Sequence, residues 1–120
     1  MKIILTSILF LFGIAFHLPA QQTADKIIGI WTNEDGTVQN EIYKKGTTYE
    51  SKIVKGKAYV GTVTMHSISF DGKEWQGKAY QPKTGRTANV NLKLTDENTL
   101  LITASKAGVS KSKTWKRINP

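Results

Sequence analysis

The side chains best equipped for chemistry in this sequence are aromatic. Trp31, Tyr43, Tyr49, Tyr59, Phe70, Trp75, Tyr80 and Trp115 suit a concave apolar pocket with a few polar handles. They suit the solid packing of a small core equally well. Titratable groups offer less. His66 is the one histidine beyond the first 20 residues, and neither a Ser–His–Asp arrangement nor a metal-ligand spacing surrounds it. Glu34-Asp35 and Asp96-Glu97 are sequence neighbours beside turns, so on a strand their carboxylates face opposite ways and serve as solvated turn formers. Asp71 and Glu74 bracket Gly72-Lys73 in the same manner. There is no Gly-x-Ser-x-Gly elbow, no calcium loop and no phosphate-cradling glycine loop. With no cysteine, disulfides, thiolate-held zinc, iron–sulfur clusters and thiol nucleophiles are excluded. This inventory argues against an enzyme and gives no reason to expect a metal or other cofactor.

Cations are the second resource. Residues 21–120 hold 16 Lys and Arg against 9 Asp and Glu, a net charge of +7. Most of these cations fall in turns or at outward positions. Consecutive hairpin turns alternate between the two ends of a barrel, so the charges are expected at both ends and not in one stripe. Such a surface attracts anionic envelope components. Nucleic acid is not expected as a partner, because it requires rings presented beside cations on one sheet face and export removes the chain from it.

The first 20 residues have the form of a cleaved signal peptide. Lys2 provides a positive start, Ile3 to Phe16 an apolar run, and His17-Leu18-Pro19-Ala20 a helix-breaking segment ending in a small residue. The run is too short to span a bilayer, and nothing later in the chain could cross one as a helix. The expectation is an exported protein, periplasmic or secreted, whose residues 21–120 form a single domain.

The elements that must position the aromatic side chains are strands. Asp35-Gly36, Lys45-Gly46, Lys55-Gly56-Lys57, Asp71-Gly72, Pro82-Lys83-Thr84-Gly85, Glu97-Asn98 and Ala107-Gly108 punctuate the chain at near-regular intervals. Between them β-branched and aromatic residues alternate with polar ones. The clearest run sets Val90, Leu92 and Leu94 on one face and Asn91, Lys93 and Thr95 on the other. Eight strands are predicted near 30–33, 38–45, 48–54, 58–65, 75–81, 87–95, 99–105 and 111–118. One short turn of helix is predicted within Thr23 to Ile28, and a mobile hairpin tip within Ser105 to Lys113. The fold class is all-β: a small antiparallel up-and-down β-barrel of about eight strands.

In such a barrel the first and last strands pair. Gly29-Ile30-Trp31 opens the first and Thr114-Trp115-Lys116-Arg117-Ile118 closes the last, and a Gly-x-Trp start with a basic residue near the end is similar to lipocalin-like and avidin-like barrels. That similarity implies a cation, Arg117 or Lys116, over the Trp31 ring as a plug; the other reading of Trp31 is a core ring beside a turn. The segments Gly29-Ile30-Trp31, Ile42-Tyr43, Lys52-Ile53-Val54, Trp75-Gln76-Gly77-Lys78-Ala79-Tyr80-Gln81-Pro82 through Gly85-Arg86, and Trp115-Lys116-Arg117 resemble, in that order, an uncharacterised exported bacterial family, the domain of unknown function 2147. The resemblance implies a small β-barrel of calycin type and no established activity. Gln81 stands where that family usually has Asp, Ala88 where an aromatic residue is common, and Ala104-Ser105 where a glycine is common.

Two functional readings follow. The first is a non-enzymatic barrel that binds a small apolar or amphipathic ligand, with Trp31, Tyr49, Trp75, Tyr80 and Trp115 as candidate ligand-binding residues and Arg117 as the barrel-closing cation. Trp75 and Tyr80 lie on opposite faces of their strand, so only one of them can face the interior. The alternative is an envelope interaction or structural protein that uses its basic outer surface on a protein or an anionic partner.

Overall fold

Alternation at period two converts directly into a barrel with one buried face. The computed structural model describes residues 23–118, and the expected leader and cleavage site lie outside the described residues. A 3-10 turn, Asp25–Ile27, precedes eight strands: β1 (Gly29–Thr32), β2 (Gln39–Lys45), β3 (Thr48–Lys55), β4 (Val63–Phe70), β5 (Trp75–Gln81), β6 (Arg86–Asp96), β7 (Thr99–Lys106) and β8 (Val109–Arg117). Each strand pairs antiparallel with the next, and β8 returns to β1 through Trp31 opposite Arg117 and Thr32 opposite Lys116. Closure leaves no sheet edge open to another chain.

The inner face is filled along the middle of the barrel. Trp31, Ile42, Ile68, Leu92 and Leu100 are each 0% exposed, and Val90, Leu92 and Leu94 share the inward side of β6. Burying a side chain of this kind contributes roughly 1.5–3 kcal/mol. Asn40 and Ser51 are the buried polar residues among those described, and Thr64 binds them into one cluster. Its hydroxyl donates to Asn40 Oδ1 at 3.0 Å and lies 3.2 Å from Ser51 Oγ.

The fourth strand lies further along than predicted, at 63–70 and not 58–65. Residues 58–62 are taken up by a wide turn in which Gly61 N–H donates to Ile53 O and Thr62 N–H to Tyr59 O. Beyond it, a bulge at Ser67 (φ 55°) brings Met65 and Ile68 both inward, three residues apart. That spacing conceals the strand from a period-two search. The bulge also accounts for Gly77 on the neighbouring strand. A Cβ there would stand 2.8 Å from Ile68 Cγ1 and 2.9 Å from His66 O. The segment predicted to hold a hairpin tip does so: the Ser105 and Ser110 hydroxyls lie 2.9 Å apart on either side of the Ala107-Gly108 turn.

Candidate functional site

One end of the barrel is closed by the N-terminal turn, and the side chains that hold it are those with donors to spare. A turn packed on a barrel end brings carbonyls that must find partners, above all those of the buried Ala24 and Ile27. Ala24 O accepts from the Trp75 indole N–H at 3.0 Å, Ile27 O from the Trp31 indole N–H at 3.0 Å, and Asp25 O from Ile28 N–H at 3.0 Å. Arg117 supplies the rest, donating to Lys26 O at 2.6 Å and Ile28 O at 2.8 Å, and also to Glu97 O at 3.0 Å. All five carbonyls from residue 24 to residue 28 therefore accept a hydrogen bond. The same guanidinium carbon sits 4.3 Å from the Trp31 ring centroid, within range of a cation–π contact.

Gly29 is required by this arrangement. Its φ is +149°, and a Cβ would stand 2.6 Å from Arg117 Nη1. Tyr49 completes the closure, its hydroxyl donating to Asp25 Oδ1, while Lys44 Nζ lies 3.6 Å from that carboxylate oxygen. Burial, reinforced by the hydrogen bond to Asp25 and its negative charge, pushes the Tyr49 hydroxyl up to about 12.

Beside this plug a cleft of about 630 Å³ opens between the N-terminal turn and the 71–74 and 97–98 connections. Phe70, Trp75 and Leu94 form its apolar floor, and the Phe70 and Trp75 ring centroids are 4.6 Å apart. Lys26, Lys73 and Arg117 stand at its rim with Asp96 and Glu97. Asp96 is committed to its turn: backbone N–H donation from Asn98, then the Thr99 hydroxyl, hold its carboxyl below the ordinary range. The cleft has the size of a small-molecule site and the chemistry of one for an apolar body with a polar end.

Of the candidate residues, Trp31, Tyr49, Trp75 and Arg117 come together at the closed end, and Trp75 and Arg117 also border the cleft. Trp115 is buried on the inner face opposite Leu100. Tyr80 is on the outer face at the far end of β5, 37% exposed. Lys116 points outward to Thr99 Oγ1, so Arg117 is the cation over Trp31. His66 is exposed, its ring 2.9 Å from Ser67 Oγ. Among the described residues no group of three His, Asp or Glu could hold a metal ion, and no helix is long and apolar enough to cross a membrane. Phe70 belongs to the aromatic set that the sequence offers for a pocket, but neither it nor Leu94, Lys26 or Lys73 is among the candidate ligand-binding residues. Leu94 was within reach, as the third inward residue of the Val90–Leu92–Leu94 row, but its position at the cleft depends on where the N-terminal turn docks.

The closed eight-stranded barrel, plugged by a short N-terminal turn with a cation over a tryptophan, defines a lipocalin-like fold. A search of the solved structures agrees. The structure described as "Protein HP1028 from the human pathogen Helicobacter pylori belongs to the lipocalin family" superposes with a TM-score of 0.66 at 18% identity, covering 78% of this chain and 83% of that one. The chain itself belongs to the family described as an uncharacterized protein conserved in bacteria (DUF2147), whose sequence pattern matches residues 29–117. No curated protein matches it.

Proposed function

We propose that the protein is an exported, non-enzymatic barrel that binds a small apolar or amphipathic molecule, seated in the cleft over Phe70, Trp75 and Leu94. The observation that carries this reading is the cleft itself: about 630 Å³, floored by two rings and a leucine and rimmed by Lys26, Lys73 and Arg117. The packed middle of the barrel supports a seat beside the closed end over one deep on the axis. Lys26 and Lys73 have no carboxylate within 4.0 Å, so both are free to meet the polar or anionic end of an amphiphile. Similarity to a lipocalin-family fold is consistent with ligand binding and does not identify the ligand.

Native mass spectrometry of the protein, isolated without detergent from the organism that makes it, tests the reading. The expected result is a stoichiometric extra mass released by organic solvent. Leu94→Lys, which places a charge on the apolar floor, should reduce retention at least about tenfold, while Ala104→Leu at the opposite end should retain it. Folded protein that carries no mass, or mass lost in Ala104→Leu and kept in Leu94→Lys, would overturn the assignment.

A further inference from the structure

We propose that the end of the barrel opposite the N-terminal turn docks on the surface of an anionic phospholipid bilayer. This docking uses only the outer end of the barrel and stands whether or not the cleft holds a ligand. Up-and-down topology places the 33–38, 56–62, 82–85 and 107–108 connections at that end, and the other connections with the N-terminal turn at the closed end.

Charge divides unevenly between the two. At the docking end Lys55 and Lys57 stand at or in one connection, Lys83 and Arg86 at or in a second, and Lys106 and Lys111 flank a third, against only Glu34 and Asp35. At the closed end six cations face five carboxylates: Lys26, Lys44, Lys45, Lys73, Lys116 and Arg117 with Asp25, Asp71, Glu74, Asp96 and Glu97. The cations are spread over both ends, as expected, six at each. Alternating turns do reach both ends, but the acidic turn residues collect at one of them.

The cations of the docking end are also uncommitted. All six are exposed, and none has a carboxylate within 4.0 Å, Lys44 with Asp25 being the ion pair among the described residues. Both acids there accept hydrogen bonds, one from the neighbouring strand β8 and one from within its own loop. Glu34 Oε1 accepts from Thr114 N–H, and Asp35 accepts from the Thr37 backbone and hydroxyl.

The apolar side chains most exposed on the described surface lie at the same end: Tyr59 at 49%, Val60 at 59% and Val109 at 63%. Tyr59 is held at φ 61°, a left-handed conformation that glycine or asparagine adopts with less strain. A tyrosine kept there, exposed and beside Val60, contributes nothing to the core. Lysines around loop tips that carry a ring and aliphatic groups match a bilayer surface, where cations meet lipid phosphates and the tips enter the interfacial layer. The arrangement demands no shape complementarity, because lipids rearrange around it. Single-stranded nucleic acid would instead need several rings stacked together beside the cations, whereas the exposed rings of this end, Tyr59 and Tyr80, lie at different connections.

Cosedimentation with phosphatidylcholine vesicles, with and without phosphatidylglycerol, tests the proposal. Binding should require phosphatidylglycerol and weaken with salt. Each cation near an anionic surface is worth about fivefold in affinity, so the Lys57→Glu/Lys83→Glu pair should weaken binding by about twentyfold or more. Lys45→Glu/Lys93→Glu changes net charge equally away from the docking end and should cost less than about threefold, since screening confines the interaction to nearby charges. Tyr59→Asn should raise the thermal midpoint yet weaken vesicle binding, a combination that a merely structural role would not produce. Equal weakening by the two charge pairs, indifference to phosphatidylglycerol, or capture of heparin without capture of vesicles would each overturn it.

Discussion

The two ends of this barrel are built on opposite terms. At the closed end large rings meet backbone: Trp31, Trp75 and Arg117 donate to four carbonyls of a five-residue turn, and every donor has a fixed acceptor. At the other end, along β5 to β8, several inward residues are small or charged. Ala79 faces Ala88 across β5 and β6, Ala104 faces Lys111 across β7 and β8, and Lys113 faces Ile102. The three alanines are half-buried and the two lysines exposed. One end is determined by directional bonds that must all form together. The other is left loosely filled, with its cations free for an outside surface. Stability should therefore concentrate at the closed end, and tolerance to substitution at the open one.

The largest effect is expected from Trp75→Ala. It deletes a ring that is 2% exposed, leaves Ala24 O without its donor and removes the cleft floor. Truncating a buried tryptophan costs about 3–5 kcal/mol, and the unsatisfied carbonyl puts this site at the upper part of that range. Chemical denaturation should read the loss. A cost below about 1 kcal/mol would mean that the turn is not an integral plug.

Arg117→Ala should follow at about 2–3 kcal/mol, since three carbonyls lose a charged donor and Trp31 loses its cover. Arg117→Lys should recover less than half of it. An ammonium can take one or two of those acceptors, but lacks the planar fork that reaches Lys26, Ile28 and Glu97 at once. If lysine restored full stability, charge over Trp31 alone would account for the site, and the carbonyl contacts would be incidental.

Much of this end was legible in the sequence for a simple reason. The pairing of first and last strands is a topological consequence of closure, so Gly29-Ile30-Trp31 and Trp115-Lys116-Arg117 could be brought together from sequence order alone. The connections were legible too, because glycine and asparagine mark turns by conformational need. The carbonyls of residues 24–28 were not, since the backbone is the same under every letter and its needs appear only once a turn is buried. Strand β4 was misplaced because the Ser67 bulge breaks its alternation, and Gly77, which accommodates that bulge, looks like any strand glycine until its neighbour is known. Phe70 and Leu94 join into a floor only when the N-terminal turn docks above them.

Tyr49→Phe probes the closed end through pH. The Tyr49 hydroxyl is raised from its ordinary 10 to about 12, so the folded state holds that proton more tightly than the unfolded chain. Its contribution is fully present below pH 10 and is lost as pH climbs toward 12. Tyr43, raised to about 12 by burial and then by its hydrogen bond to Glu50, adds a slope of the same sign from outside the plug. Phenylalanine at 49 should therefore cost about 1–2 kcal/mol at neutral pH and flatten, without abolishing, the alkaline loss seen in denaturant titrations. An unchanged alkaline slope would show that Tyr49 does not carry its proton into the Asp25 contact.

Ala104→Leu should have the smallest effect and sharpens the comparison most. On a well-packed inner face, three added carbons cost roughly 1–3 kcal/mol through strain. Ala104 is only half-buried, and the residue opposite it is the exposed Lys111, whose flexible stem can move aside. Stability should change by less than about 1 kcal/mol in either direction, because the added apolar area offsets what little crowding occurs. The same enlargement at Gly77, where a Cβ already meets Ile68 and the His66 carbonyl inside 3 Å, has no such outlet and should be severely destabilising. Two inward positions on one barrel would then differ by several kcal/mol for the addition of a side chain. That difference measures how far close packing extends toward the open end, and a large penalty at Ala104 would mean that it reaches the rim.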